Sequence, residues 1–75
     1  MSYRLYVIRN RDNMAWLTQV YQEKGLRTFR YLPDISRAMR YDSLHEAQKT
    51  AKECRGKIQI LRMTRGGKAY AEDMK

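Results

Sequence analysis

Side chains that could perform acid–base or nucleophilic chemistry are few in this chain of 75 residues, which contains one histidine, His45, and one cysteine, Cys54. General acid–base catalysis requires a group that titrates near neutral pH and a second group that orients it, and the pattern offers His45 no such partner. Cys54 falls on the apolar stripe of a predicted helix, where cysteine behaves as a small hydrophobic side chain. The sequence therefore predicts a non-enzymatic protein without catalytic residues.

Metal and phosphate-loop sites are also poorly supported by the pattern. A structural zinc ion takes about four ligands, whereas His45 and Cys54 would supply two from opposite ends of the same predicted helix. Gly66 and Gly67 precede Lys68, but they lack the glycine spacing and the strand-to-helix context of a phosphate-binding loop. We expect no metal, no cofactor and no small-molecule substrate.

The positive charge is the property that stands out, because 16 Lys and Arg residues oppose 8 Asp and Glu residues and give a net charge of +8. Arginine binds phosphate and carboxylate groups through paired hydrogen bonds and stacks on aromatic rings. Arginines alternate with aromatic residues in the first half of the chain, a combination that nucleic-acid-binding sheets use for phosphate contacts and base stacking. The candidate binding residues are Arg4, Arg9, Arg27, Arg30, Arg62, Tyr6 and Tyr31.

The same residues have a second interpretation. Solvated strand faces often carry Arg and Tyr, edge strands use charge against aggregation, and a basic surface also binds acidic proteins. The sequence contains no ribonucleoprotein aromatic motif, helix-turn-helix pair, zinc finger or KH glycine loop. We predict a basic module that contacts nucleic acid or a nucleoprotein complex. The alternative is an inhibitor that acts by contact with an acidic protein and that could form a homodimer.

Three strands are expected to position most of these residues. Runs rich in β-branched and aromatic residues at 3–9, 14–22 and 26–31 are separated by turn-forming residues and predict a meander. Pairing Arg9 with Met14 would place Val7 opposite Trp16 on the more apolar face, with Trp16 as a core anchor beneath the helix. A shift of one residue would exchange the two faces.

Two helical segments follow the meander. Asp34 is expected to cap a single turn within residues 34–41. Ser43 and Glu46 have the spacing of a capping box, in which each side chain bonds the other residue's backbone amide. The apolar stripe of the helix consists of Leu44, Ala47, Ala51 and Cys54. Gly56 is expected to end the helix.

Residues 57–63 alternate in polarity and predict a fourth strand. The fold class is therefore α+β, a small two-layer β-β-β-α-β domain over residues 1–63, with one helix covering a mainly antiparallel sheet. Residues 64–75 show no period and predict a flexible or weakly ordered C-terminal tail. The start of the chain lacks the apolar run of a secretory signal, and no stretch of about 18 apolar residues occurs, so we expect a cytoplasmic protein without membrane contact.

The pattern of the connector and helix, Asp34-Ile35-x-x-Ala38 followed by Ser43-x-x-Glu46-Ala47-x-x-x-Ala51, resembles that of small uncharacterised proteins encoded by tailed bacteriophages. The resemblance extends over most of residues 3–63, includes Tyr3 and Tyr41, and concerns structural positions. It implies a product that binds host machinery stoichiometrically in the bacterial cell, as inhibitors of nucleases and CRISPR effectors do. It implies no catalytic residue.

Overall fold

The structure, a computed structural model, describes residues 4–74, and the expected strand position of Tyr3 lies outside them. The strands are β1 (Leu5–Arg9), β2 (Trp16–Glu23), β3 (Leu26–Leu32), β4 (Lys57–Met63) and β5 (Ala69–Asp73), and the helix α1 is Leu44–Cys54. A short 3₁₀ helix, Ile35–Arg37, precedes α1. The five strands form one antiparallel sheet in the order β3-β2-β1-β4-β5, which confirms the predicted α+β class. Within residues 4–74, no helix is long and apolar enough to cross a membrane.

The predicted C-terminal tail is wrong for residues 69–73, because β5 pairs with β4 from Met63↔Ala69 to Gln59↔Asp73. Thr64 closes the connecting turn, since its hydroxyl accepts from the amide of Lys68 at 3.1 Å. Gly67 supplies a φ of 80° in the same turn. The glycine pair, which lies in the segment predicted to be flexible or weakly ordered, therefore belongs to a hairpin turn. Alanine and acidic residues have low strand propensity, so the sequence pattern does not indicate β5.

The first hairpin is two residues longer than predicted on the side of β2. Arg9 pairs with Trp16 and not with Met14. The amide of Asn10 donates to the carbonyl of Ala15 at 2.8 Å, and the Asn13 side chain accepts from the Ala15 amide at 2.9 Å, so the loop extends to residue 15. A shift of two residues preserves the alternation of side chains, and Val7 and Trp16 still lie on the same face of the sheet.

A β-bulge changes the alternation farther along β2. The register with β3 shifts between Leu17 and Gln19, so that Leu17 pairs with Tyr31 and Val20 pairs with Phe29. The extra residue places Leu17 and Val20 on the same face, although they are three positions apart. In an unbroken strand Val20 would lie on the same face as Trp16, and the bulge moves it to the other face.

The two faces of the sheet are covered by different elements. On the face beneath α1, which we call the helix face, Ile8 and Leu17 are fully buried against Ala51. On the opposite face, Val7 packs with Trp16 and with side chains of the 3₁₀ helix and β5. Trp16 is thus a core residue, as expected, but on the side away from the helix.

The chain crosses the sheet between β1 and β2. Ala38 is buried on the opposite face, whereas Met39 and Tyr41 pack on the helix face. The amide of Met39 donates to the carbonyl of Leu17 at 2.8 Å, and Tyr41 exchanges two backbone hydrogen bonds with Tyr6. Residues 39–41 therefore fill the gap where β2 diverges from β1.

The ends of α1 are fixed by its caps. Ser43 Oγ accepts from the amide of Glu46 at 3.3 Å. Of the two hydrogen bonds of the predicted capping box, this is the one found within residues 4–74. At the other end the left-handed residue is Arg55, with φ 57° and ψ 36°. Gly56 follows it and packs against β1. The helix ends where predicted, but arginine adopts the conformation expected of the glycine.

Candidate functional site

Two of the five predicted arginines are held in ion pairs. Arg27 Nε lies 3.2 Å from a carboxylate oxygen of Glu53, which links β3 to α1. Arg62 Nε lies 2.8 Å from a carboxylate oxygen of Glu72 on the neighbouring strand β5. Both pairs are partly exposed, so each guanidinium retains free hydrogen-bond donors while its charge is largely balanced.

The other three predicted arginines lie in separate places. Arg4 is exposed immediately before β1 and shares a shallow depression with Arg62, but Glu72 and Asp73 line the same depression. Arg9 is half-buried at the end of β1, and its Nη1 donates to Met14 Sδ at 3.2 Å. Arg30 is exposed on β3 and alternates with residues of the helix face, which places it on the opposite face. The five arginines therefore do not form one binding surface.

The two predicted stacking tyrosines belong to the core. Tyr6 is 9% exposed and packs with Ala47 of α1, so its ring has no free face for a base. Tyr31 is half-buried and packs in the cluster that contains Cys54. Burial and the neighbouring Cys54 thiol raise the pKa of Tyr31 to about 12. Both rings are used for packing between the sheet and α1.

A different set of cations is brought together at the C-terminal end of α1. Here a shallow groove of about 520 Å³ is floored by Ala51, Gly56 and Ile58. Its charged walls come from the β1–β2 loop, the last turn of α1, its cap and the first residue of β4. We call it the basic groove, and its cations are Arg11, Lys52, Arg55 and Lys57.

Backbone geometry positions the cations of the basic groove. The left-handed conformation of Arg55 turns the chain sharply from α1 into β4. Arg11 Nε donates to the carbonyl of Arg55 at 3.2 Å and so ties the β1–β2 loop to the end of the helix. Asn10 stabilises this loop, because its side chain accepts from the amide of Asp12 at 2.8 Å. These contacts fix the β1–β2 loop against the C-terminal end of α1.

Within residues 4–74, the basic groove is lined by four cations and by no carboxylate. Lys57 Nζ pairs with Asp73 Oδ1 at 3.1 Å, while the part of the chain described here gives Arg11, Lys52 and Arg55 no ion-pair partner. The free carbonyls at the end of α1 carry a partial negative charge, which is favourable for Lys52 and Arg55. The hydrogen bond from Gln59 and the contact with Lys57 hold the pKa of Asp73 below its usual range. Three unpaired cations therefore remain for an external anion.

None of the four groove cations was among the predicted site residues. The sequence does place Lys52, Arg55 and Lys57 around a predicted helix C-terminus. Cations are favoured at the C-terminus of any helix, so this clustering does not by itself indicate a binding site. The contribution of Arg11 could not be predicted from spacing, since it lies 44 positions before the carbonyl it contacts.

Comparisons of the chain with protein-family models, with curated protein sequences and with solved structures found no match in any of the three. The resemblance to phage-encoded proteins remains a prediction, and the geometry described above is the basis for any functional proposal.

Proposed function

We propose that this protein binds nucleic acid without catalysing a reaction, and that the basic groove at the C-terminal end of α1 contacts the phosphate backbone. The observation that carries the proposal is the convergence of Arg11, Lys52 and Arg55, without carboxylate partners in residues 4–74, on one open groove. Guanidinium groups match the geometry of phosphate oxygens, and release of condensed counterions favours the association.

The groove is suited to a chain of phosphates more than to an isolated anion. It is shallow and open, so it would exclude little water around a small ligand. Its cations also come from three elements, which spreads the positive charge along the groove. A polyanion can contact such cations with successive phosphates along its chain.

The test is a titration against random-sequence duplex DNA, single-stranded DNA and structured RNA at several salt concentrations. Three phosphate contacts should give a log–log salt slope of about −2 to −3, since each contributes roughly −0.7 to −0.9. The triple variant Arg11→Gln, Lys52→Gln, Arg55→Gln should weaken binding at least tenfold and reduce the slope.

A charge-matched control separates the groove from the net charge. The variant Arg37→Gln, Lys49→Gln, Arg65→Gln also removes three cations, all exposed and outside the groove. It should weaken binding by less than threefold. Equal effects of the two triple variants, or the absence of binding at low salt, would disprove the proposal.

A second candidate function is contact with a partner protein, in the manner of phage-encoded inhibitors. It is favoured by Leu26 and Tyr21, which are 72% and 45% exposed on the same face of the β2–β3 hairpin near its tip. A protein interface would bury such a side chain, whereas a phosphate backbone would not. If nucleic acid does not bind, Leu26→Ser should abolish capture of a partner from bacterial lysate, and the groove variant should not.

A further inference from the structure

The strand β3 forms one edge of the sheet and is hydrogen-bonded to β2 on one side only. We propose that its outer edge binds the same edge of a second copy of the chain, so that the two sheets join around a twofold axis at Phe29. This surface is separate from the basic groove, and the proposal does not depend on nucleic-acid binding. The evidence lies in the backbone, the side-chain pattern and the charges of β3.

The turn of the β2–β3 hairpin determines which backbone groups of β3 face outward. Lys24 and Gly25 both have positive φ, 51° and 81°, as in the two-residue type I′ turn. Such a turn makes Glu23 and Leu26 a hydrogen-bonded pair, and bonded and non-bonded pairs then alternate along the strands. The extra residue of the bulge belongs to β2, so β3 keeps this alternation. The residues whose amide and carbonyl groups point away from β2 are therefore Arg27, Phe29 and Tyr31.

The edge of β3 lacks the features that usually keep an edge strand unpaired. Such strands are often short, interrupted by proline or bulged. β3 has seven residues, Leu26–Leu32, without proline, and it contributes no extra residue to the bulge. Of its two charged side chains, Arg27 is balanced by Glu53 of α1. Within residues 4–74, no backbone group from outside the sheet is hydrogen-bonded to this edge.

The side chains of β3 are self-complementary when the strand pairs antiparallel with itself and Phe29 faces Phe29 of the second copy. Arg27 then lies opposite Tyr31 of the second copy, and the outward-facing residues form three hydrogen-bonded pairs, with roughly six hydrogen bonds in all. Both contacts are favourable, since one joins two aromatic rings and the other joins a guanidinium to a ring. On the other face, Leu26 lies against Leu32 of the second copy, which covers a side chain that is 72% exposed in the single chain.

Other registers of the same pairing are less favourable. Centring the pairing on Thr28 shortens the hydrogen-bonded ladder and places Leu26 opposite Arg30 of the second copy. Centring it on Arg27 or on Arg30 places two guanidinium groups directly opposite each other, which is destabilising. The register at Phe29 is the longest of these and pairs no like charges directly.

The first measurement is the molar mass of the protein by sedimentation equilibrium at concentrations up to about 0.5 mM. The mass should double reversibly from 9.0 kDa. The dimer should tighten as the salt concentration rises, because two copies of charge +8 repel each other. Nucleic-acid binding by the groove should weaken with salt, so the two proposals respond in opposite directions. A monomer at every concentration and salt condition, or assembly that continues beyond the dimer, would overturn the inference and leave the groove proposal intact.

Substitutions of Thr28 test the charge pattern, because this exposed residue lies opposite Arg30 of the second copy in the proposed register. Thr28→Glu should tighten the dimer at least threefold, and Thr28→Arg should weaken it at least tenfold, since each contact occurs twice. Lys49→Gln, on the exposed surface of α1, changes the net charge as Thr28→Glu does and should alter the dissociation constant less than twofold. Equal effects of Thr28→Glu and Lys49→Gln would contradict the proposed interface.

Cysteine cross-linking tests the register itself, in a Cys54→Ala background that removes the native thiol. A mixture of Thr28→Cys and Arg30→Cys proteins should form a disulfide-linked heterodimer in oxidised glutathione, because directly opposite residues bring their Cβ atoms to within about 5 Å. Thr28→Cys alone should cross-link at least fivefold less, since the two Thr28 positions are diagonal neighbours about 7–8 Å apart. Mass spectrometry distinguishes the products, and a predominant Thr28→Cys homodimer would overturn the proposed register.

Discussion

Gly56 lies directly against the Cγ2 methyl group of Ile8, and a Cβ atom at position 56 would overlap with it. The same Cβ would approach the Arg9 carbonyl oxygen and Cys54 Sγ to 3.2 Å each. Glycine is therefore required at position 56, where α1 meets β1, because a Cβ atom does not fit there. We expect Gly56→Ala to destabilise the protein by about 1–3 kcal/mol through overpacking, measured by urea unfolding.

Gly66 provides the control for this substitution. A Cβ there would meet only Thr64 Oγ1, at 4.0 Å. Gly66→Ala should change the free energy of unfolding by less than about 0.5 kcal/mol, as for an ordinary surface position. Similar losses of stability for the two variants would contradict the packing argument.

Arg55 combines backbone strain with a role in the proposed groove. Its φ of 57° is unfavourable for a side chain with a Cβ atom, and glycine would remove the penalty. We expect Arg55→Gly to raise the free energy of unfolding by about 1 kcal/mol and to weaken nucleic-acid binding. Thermal unfolding and a binding titration on the same sample would measure both effects.

Lys24 allows a matched comparison, because it also has a positive φ, 51°, in the β2–β3 turn. Lys24→Asn removes one positive charge and introduces a residue that favours this turn. It should increase stability and leave binding within about twofold of the wild type, because Lys24 does not line the groove. Equal weakening by the Lys24 and Arg55 variants would show that only net charge matters.

Asp73 should give the protein a measurable pH dependence of stability on the acidic side. Gln59 and Lys57 lower its folded-state pKa below the ordinary value of 3.8. Its stabilising contribution is therefore complete above that ordinary value and is lost as the pH falls through the lowered folded-state pKa. The difference in unfolding free energy between the wild type and Asp73→Asn should shrink over this range.

The Lys57→Met variant checks the cause of that shift. It removes the ion pair with Asp73 while retaining the Gln59 hydrogen bond. The titration midpoint of the Asp73 carboxyl group, followed by NMR, should move back toward 3.8. A midpoint unchanged from the wild type would show that Lys57 has no part in the shift.

Ser43 caps α1 through its hydroxyl group. Ser43→Ala should lower the free energy of unfolding by about 1 kcal/mol, because the Glu46 amide loses its acceptor. Ser43→Asp, which retains an acceptor at the cap, should stay within about 0.5 kcal/mol of the wild type. Equal stabilities of the alanine variant and the wild type in urea unfolding would contradict the capping role of the Ser43 hydroxyl group.

The elements that were predicted well are those specified by nearby residues. The start of α1 was predicted from the Ser43 and Glu46 spacing, and β4 from its alternation over residues 57–63. The apolar stripe was also correct, since Ala47 and Ala51 are buried and Leu44 and Cys54 pack beside them. In each case a few neighbouring side chains determine the backbone conformation.

The features that were missed depend on distant parts of the chain. The bulge beside Leu17 follows from the pairing of β2 with β3 and leaves no signal in a period-two pattern. The strand β5 depends on β4 more than on its own alanines. For the same reason the predicted arginines could not be sorted into paired and unpaired ones, because Glu53 and Glu72 meet Arg27 and Arg62 only after folding.

The segment from Met39 to Tyr41 holds the two halves of the sheet together, because it is hydrogen-bonded to Leu17 of β2 and to Tyr6 of β1. Direct pairing between β1 and β2 is limited to Arg9 and Trp16, so the β2–β3 hairpin can leave the rest of the sheet only if this segment is withdrawn as well. Both faces of the sheet include residues of β2, since Leu17 packs on the helix face and Trp16 on the opposite face. A substitution that loosens residues 39–41 should therefore disturb the packing on both faces at once.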